Sequence, residues 1–585
     1  MSTATTITNP AAAPSPLIGL NSIRSVVQEY LNKMLDSIQG MKVLVLDKET
    51  TGMVSMVYSQ SDILQKEVFL FEKIDSGNKE QMPHMKAVYF VRPTQDNFNY
   101  ICEELSTPKY SDYHLFFTNF VGSTALEQMA KADSKDLVRE IQEYYSDFYP
   151  VNPDTFTLNI TGVLSKRTVG WQANGSRIID GIVSALLALK KKPIIRYSAN
   201  SELTKTVAEA VARSMQTERE LFEMRKSEPI LLILDRKDDP VTPLLHQWTY
   251  QSMIHELLGI RNNRVNLNQP GVKEDPAKEV VLSIDHDTFF KDNLYMNYGD
   301  LGASIKDLVE TYQKKMDSNA NIKTIEDMKK FIENFPNFQK FSTNVSKHVN
   351  MMEEISKKIS GHHLMEISEV QQELACGNEH SAAYQRICEI IDDQKYTDED
   401  KLVLVMLYSI RYEDGRVRDL QDRLVRAGMP QQLIGLLLTL RDLASKNQRE
   451  GDLFGTKNIL KFMNGVVKRG LQGVSNIYTQ HVPLLNEILE LLIRNKLQEK
   501  SYPYFIPPTA QQLRERVTDI IVFVVGGITY EEAYNVHKFN VANANAKIRV
   551  VLGGTTILNR DQFLEDLGSL RMQQTGIGGN SNSRK

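Results

Sequence analysis

The chain has 585 residues, too many for one hydrophobic core and enough for about three or four domains. With 41% hydrophobic and 24% charged residues it has the composition of a folded globular protein, and a formal net charge of -4 argues against a dedicated nucleic-acid binder. Cys102, Cys376 and Cys388 are too few and too scattered for a disulfide framework, which points to a reducing compartment.

The start, MSTATTITNPAAAPSPL, has neither the basic nor the apolar region of a secretory signal, and 1–18 reads as a disordered arm. From 19 to 150, short apolar runs (43-VLVL-46, 87-AVYFV-91, 115-LFFT-118) end in polar turns at Asp47, Pro93 and Asn119 and alternate with helical patterns. The longest of these patterns, 124-TALEQMAKADSKDLVREIQEYYSDF-148, reads as one helix. Such alternation predicts a parallel sheet covered by helices, the first domain.

A second α/β segment spans 151–255, with a helix over 176–190, a strand at 194-IIRYS-198, a charged helix to about 225 and a strand at 230-ILLIL-234. The basic triplet Lys190–Lys192 stands at a helix C-terminus, where it either complements the dipole or binds an anion. The α/β rhythm returns only in 496–575, with 519-DIIVFVVGG-527 and 548-IRVVLGG-554. Two strand–helix units cannot bury a sheet of their own, so they are expected to join the earlier strands. Domain two is then discontinuous (151–255 and 496–575), the mainly helical 256–495 is a third domain inserted into it, and 576–585 is a flexible tail. No apolar run approaches the roughly 18 residues of a membrane span, so a cytoplasmic protein is expected, reaching membranes through a partner.

Within the helical region, Phe338, Phe341, Val345, His348, Met352, Ile355 and Ile359 follow alternating steps of three and four, a heptad seam. Leu301, Ile305, Leu308 and Tyr312 repeat the spacing on an earlier helix, which predicts a hairpin over about 301–360. Its two helices can satisfy each other, and a projecting hairpin can also offer a further face to a partner helix.

The stretch 229-PILLILDRKDDPVTPLLHQWTYQSMIHELLGI-260 delivers Asp235, Asp238 and Asp239 from an apolar strand, as many metal and phosphoryl-transfer sites do. A metal-dependent phosphotransferase centred on Asp235 is therefore one reading. Against it, Lys237 stands where haloacid-dehalogenase-like sites place a second Asp, and Arg236 and Lys237 weaken a divalent-metal cage. Pro240 and then Thr242-Pro243 read as the start of a helix running to Gly259, apolar on nearly every side through Leu244, Leu245, Trp248, Tyr250, Met253, Ile254, Leu257 and Leu258. The acids are then architectural, tied to nearby cations or backbone N–H groups.

Other catalytic signatures each fail at a required position. Gly259 stands where a zincin helix begun by His255-Glu256 needs its second histidine. Gly526-Gly527 and Gly553-Gly554 do not extend into a dinucleotide fingerprint, and 451-GDLFGTK-457 is one residue short of a phosphate loop. Cys376, His380 and Cys388 lack a fourth zinc ligand at sensible spacing. No catalytic residue, metal or cofactor is expected.

The segment DRKDDPVTPLLHQWTYQSMIHELLGI resembles a signature of the SM (Sec/Munc-type) family, the syntaxin-binding proteins of vesicle fusion. So do 43-VLVLDKETTGMVSMVYSQSDILQKEVFLFEKIDS-76, 109-KYSDYHLFFTN-119 and 522-VFVVGGITYEEAYNV-536, which are similar to the branch serving trans-Golgi and endosomal traffic. The resemblance implies an arch-shaped, three-domain, monomeric, non-enzymatic protein of α/β plus all-α class. Its implied partners are a trans-Golgi or endosomal syntaxin of the syntaxin-16 type, a vesicle SNARE and the assembling SNARE bundle; nucleic acid is not among them. It also implies peripheral association with Golgi and endosomal membranes and a role in transport to the endosome and vacuole.

The resemblance further implies a pocket for a syntaxin N-terminal peptide formed by Tyr110, Leu126, Met129, Ala130, Ile141 and Tyr144. Pro336 matches a hinge near the hairpin tip, where proline disfavours a continuous helix, and Val349 matches a position in SNARE contact. Asp47 matches one half of an ion-pair grip on closed syntaxin, but Gly52 stands where relatives carry the arginine. In the signature segment, Asp235, Asp238, Asp239, Pro240, Pro243 and Trp248 are implied to be structural.

Overall fold

The computed structural model describes residues 22–575, apart from 78–79, 224–228, 269–277, 321–324, 378, 414, 452, 455–476, 511 and 513–516. The expected arm 1–18 and tail 576–585 lie outside the described residues.

Five parallel strands, β1 (Lys42–Leu46), β2 (Val68–Lys73), β3 (Met82–Val91), β4 (Tyr110–Phe117) and β5 (Val138–Glu143), form a sheet in the order β2-β1-β3-β4-β5. Both faces are covered, as a parallel sheet requires. Val43, Val45, Tyr89, Leu115 and Phe117 pack against Phe98 and Ile101 of the Gln95–Ser106 helix and Ala125 and Met129 of the Ser123–Ala132 helix. Leu44, Leu46, Val88, Phe90 and Phe116 face the Ile23–Ser37 and Lys48–Val57 helices, in a core that continues into the next sheet.

The expected single helix over 124–148 is corrected: it stops at Ala132, and β5 occupies Val138–Glu143. The Asp133 carboxylate accepts from Leu137 N and Val138 N, each at 2.9 Å, and Asp136 adopts φ 55°. An Asp-rich turn of this kind offers the backbone an alternative to the helical ladder and aims the chain back along the sheet.

The second sheet comprises β6 (Tyr149–Asn152), β7 (Thr155–Thr157), β8 (Ile194–Tyr197), β9 (Ile230–Asp235), β12 (Asp519–Val525) and β13 (Arg549–Gly554), in the order β6-β7-β13-β12-β9-β8. Only β6 and β7 pair antiparallel. β9 lies directly beside β12, Ile230 opposite Ile520 and Asp235 opposite Val525, so strands from before and after the helical middle share one sheet. The Val169–Ala188 and Glu202–Thr217 helices cover one face, and the Leu484–Ile493 and Tyr530–Ala542 helices cover the other.

Between β9 and β12 lie the short antiparallel pair β10 (Arg264–Asn266) and β11 (Glu279–Val281), a hairpin of helices Tyr298–Ala320 and Ile325–Gly361, and a bundle. The bundle is built round the Asp398–Arg411 helix, which is buried on every side from Asp400 to Ile410, and the Arg560–Thr575 helix packs against it.

The segment after β9 is not the helix its apolar content suggested. It makes one 3-10 turn at Thr242–Leu244, becomes extended at Leu245, then turns helically over Tyr250–Met253 and Ile254–Leu258. Tyr250 N and Gln251 N donate sideways to Met296 O and Leu294 O, each at 2.9 Å, instead of up a helix. Leu244, Leu245, Trp248, Tyr250, Met253 and Ile254 are buried because the segment is threaded through the core, with Leu257 and Leu258 half-buried at its end.

Arg236 closes the junction. Its side chain is 2% exposed, with Nη1 donating to both Glu532 oxygens at 2.9 and 2.8 Å and Nη2 3.6 Å from Asp239. Gly526, at φ +94°, lets the chain pass: a Cβ there would stand 2.7 Å from Arg236 Cβ.

Candidate functional site

The acidic turn is saturated by the protein's own donors. Asp235 accepts from Ser201 Oγ at 2.5 Å and Lys237 N at 3.0 Å, and Asp238 from Ser198 Oγ at 2.7 Å and Glu450 N at 2.8 Å. Asp239 accepts from Thr242 N and Oγ1 at 3.0 and 2.6 Å and from Leu484 N at 3.1 Å. Burial drives the carboxyls of Asp235 and Asp238 upward, Asp238 to about 7 with the neighbouring Asp235 charge adding to it. Asp239 is equally buried, yet Arg236, His481 and Thr242 hold it below the usual range. Pro240 and Pro243 flank the turn, and Trp248 is buried, its Nε1 donating to Ser368 Oγ at 2.7 Å. Among the described residues no group of three or more His, Cys, Asp or Glu could hold a metal ion.

The six residues expected to form a peptide pocket separate into two sets. Leu126 and Ile141 are each 38% exposed, Ala130 is exposed, and Met129 is buried beneath them. Ile141 pairs with Leu115 in register, so edge strand β5 presents it on the sheet face that the Ser123–Ala132 helix covers. Helix and edge strand thus offer an apolar strip with a Met129 floor. Tyr110 and Tyr144 stand elsewhere. Tyr110 is buried against Tyr113, with its hydroxyl donating to Glu72 at 2.7 Å, and Tyr144 lies on the opposite sheet face between Tyr30 and Phe116. Their helical spacing from Leu126 had no meaning once β5 proved to be a strand. Phe120, 50% exposed in the loop before the helix, went unremarked although an apolar residue in a polar turn is a readable signal.

Asp47 is not a free cleft charge. It is 6% exposed and caps the Lys48–Val57 helix, accepting from Thr50 N and Oγ1 on one oxygen and from Arg92 N and Asn97 Nδ2 on the other. Position 52 has no room for the arginine of the resemblance, since a Cβ on Gly52 would lie 2.7 Å from the Tyr149 ring and 3.1 Å from Asn262.

In the hairpin the seam is largely internal. Tyr312 stacks on Phe338 at 5.9 Å, approaches Phe341 at 6.2 Å and accepts from Ser342 Oγ at 3.3 Å. Leu301, Ile305, Val345, Ile355 and Ile359 are buried and Leu308 is half-buried. Met351 takes the buried place expected for Met352, which with Val349 is half-buried at the flank. His348, the polar member, is fully buried and bonded to Tyr250 and Asp287, each at 2.8 Å. The second helix runs unbroken over Ile325–Gly361, so the break expected at Pro336 is not present: the hairpin is in its extended form.

A model of the Sec1 family matches residues 42–566. Vacuolar protein sorting-associated protein 45 of Dictyostelium discoideum is 63% identical over 548 residues, covering 93% of this chain and 96% of its own length. The Homo sapiens protein of the same name is 47% identical over 554 residues, covering 92% and 95%. The solved structure of the SM protein Vps45 in complex with the Qa SNARE Tlg2 superposes with a TM-score of 0.86 at 38% identity, covering 96% of this chain and all of that one.

The acidic turn yields a pH test. A carboxyl raised in the folded state binds more protons folded than unfolded, so stability falls as pH rises from about 4 towards 7. Asn at 238 keeps an oxygen for Glu450 N and offers an amide to Ser198. Asp238→Asn is therefore expected to match the wild-type thermal midpoint near pH 5 and to equal or exceed it at pH 8. A lower midpoint at pH 8 than at pH 5, relative to wild type, would refute the assignment.

Proposed function

The chain belongs to the Sec1 family, and from that premise we propose that it is a SNARE-binding regulator of vesicle fusion, acting with a trans-Golgi or endosomal syntaxin in transport to the endosome and vacuole. The observation that carries this is near end-to-end similarity to Vps45 proteins, together with superposition on Vps45 bound to a Qa SNARE. Its fold is the arch-shaped SM fold. It works by binding and templating, not catalysis: Asp235 is fully engaged by Ser201 and Lys237. Among the described residues no helix is long and apolar enough to cross a membrane, and the protein sits peripherally on Golgi and endosomal membranes through its partners.

For this activity the chain divides into an α/β unit over 19–150, a discontinuous α/β unit over 151–255 and 496–575, and a helical unit over 256–495. The strip of Leu126, Ala130 and Ile141 over Met129 takes the syntaxin's N-terminal peptide. Support comes from its shape: two exposed aliphatic side chains on a helix and an edge strand, with a small residue between, receive an apolar anchor without moving backbone. The extended hairpin engages the SNARE bundle, with Val349 at its flank.

Three measurements check this reading. The full chain, used as bait in detergent-solubilised membranes, should retain one dominant syntaxin of the syntaxin-16 type; retention of none would overturn the function. Leu126→Arg should abolish calorimetric binding of that syntaxin's N-terminal peptide with an unchanged thermal midpoint, because Leu126 is exposed and its loss costs little packing. Unchanged affinity would remove the peptide from this strip. Proline inside a helix is disfavoured by about 3 kcal/mol relative to alanine, so Pro336→Ala should hold the hairpin extended and increase capture of the assembled SNARE bundle. Equal or weaker capture would count against the hairpin's role.

A further inference from the structure

Three consecutive residues before the hairpin, Asp285, His286 and Asp287, bond to three different helices. The turn presenting them is built on Ser283, whose Oγ accepts from Asp285 N and His286 N, each at 3.3 Å, while its carbonyl accepts from Asp287 N at 3.0 Å.

Asp285 faces the first helix, Ile23–Ser37. It accepts from Arg24 Nε at 3.1 Å and from Gln28 Nε2 at 3.2 Å, and pairs with the second Arg24 nitrogen. Arg24 is 3% exposed, and Asp285 is the carboxylate that pairs with it. His286 faces the Gln60–Leu64 helix, its Nε2 lying 2.9 Å from Asp62. Asp287 points the other way, into the hairpin base: one oxygen caps Phe290 N at 3.0 Å, and the other takes Lys347 and His348 of the long hairpin helix. Backbone contacts reinforce both sides, since Lys347 Nζ reaches Val281 O at 3.4 Å and Asn263 Nδ2 reaches Met56 O at 3.4 Å.

The two sides differ in character. On the hairpin side His348 and Asp287 are buried, and His348 passes the connection on to the Tyr250 hydroxyl. On the N-terminal side Asp285, His286 and Asp62 are 33%, 48% and 30% exposed, and water competes for their contacts. One end is a fixed anchor and the other a contact that can open and reclose.

We propose that the Ser283–Asp287 turn is a coupling strap, through which release of the contacts to Arg24, Gln28 and Asp62 loosens the base of the helical hairpin. By linkage, whatever changes the hairpin base changes the hold on the N-terminal unit equally. The strap acts whatever partner the hairpin engages.

Hydrogen exchange on the full chain tests it. Asp285→Ala, and separately Asp62→Asn, which touches no hairpin residue, should speed exchange about tenfold in hairpin peptides spanning 343–361, with the Asp398–Arg411 helix unchanged as the internal reference. Gln28→Ala gives a milder version that preserves the Arg24 pair and should produce a smaller change in the same peptides. Exchange that rises only in 22–64 and 279–287, with 343–361 unaffected in all three variants, would overturn the proposal. So would a rise spread evenly through the reference helix.

Discussion

A guanidinium cannot be buried without partners, and the burial of Arg236 is the constraint that organises this chain. β9 brings Arg236 to the end of the second sheet long before its partner has been made, because Glu532 belongs to the helix that follows β12. The ion pair and the sheet are completed by the same event, the return of residues 519–554 to lie beside β9. The helical middle is thereby held at both ends. Asp238 and Asp239 extend the hold into the middle itself through Glu450 N and Leu484 N, so loops far apart in sequence converge on one turn. What looks like a reaction centre is a knot of donors and acceptors that closes on itself.

The parts of this fold that were legible in the sequence are those where one physical signal dominates. Apolar runs such as 43-VLVL-46 and 520-IIVFVV-525 became fully buried parallel strands, and two strands too few for a sheet had to join another. The heptad steps found the hairpin because a seam repeated on two helices is hard to produce otherwise. Errors arose where one pattern serves two structures. Residues 138–143 fit a helical face as well as a strand, and the Asp133 turn decided between them. Apolar residues on all sides of 242–259 suggested a buried helix, whereas the backbone bonds sideways to 294 and 296. Met351 replaced Met352 in the seam because a 3.6-residue helix drifts against a 3.5-residue repeat.

The same ambiguity explains why only part of the candidate site could be read. Leu126, Met129 and Ala130 lie on one helix, where spacing fixes their relative positions. Ile141 joins them through strand register, a relation between segments that no local pattern encodes. Tyr110 and Tyr144 met the criterion of apolar residues at plausible intervals and still belong to two other places in the core. Asp47 shows the converse case: its position matches a functional residue of relatives, but its four hydrogen bonds make it a helix cap. A motif position carries over only if the local packing that exposed the residue carries over too, and the absence of a side chain at Gly52 shows that here it does not.

Two exposed surfaces on one rigid frame raise the question of how binding at one is felt at the other. A peptide on the strip over Met129 touches a sheet whose opposite face packs on the Ile23–Ser37 helix. That helix meets the hairpin base through the polar turn at Asp285–Asp287. The route therefore crosses a well-packed core, which transmits displacement, and ends at solvent-exposed charge pairs, which break at low cost. A contact of this kind suits a regulator that must hold one component while another arrives. It keeps the hairpin anchored to the N-terminal unit in the free protein, yet opposes a large rearrangement only weakly. The burial of His348 and Asp287 localises the movement: the joint that yields is on the N-terminal side of the turn, and the hairpin carries the turn with it.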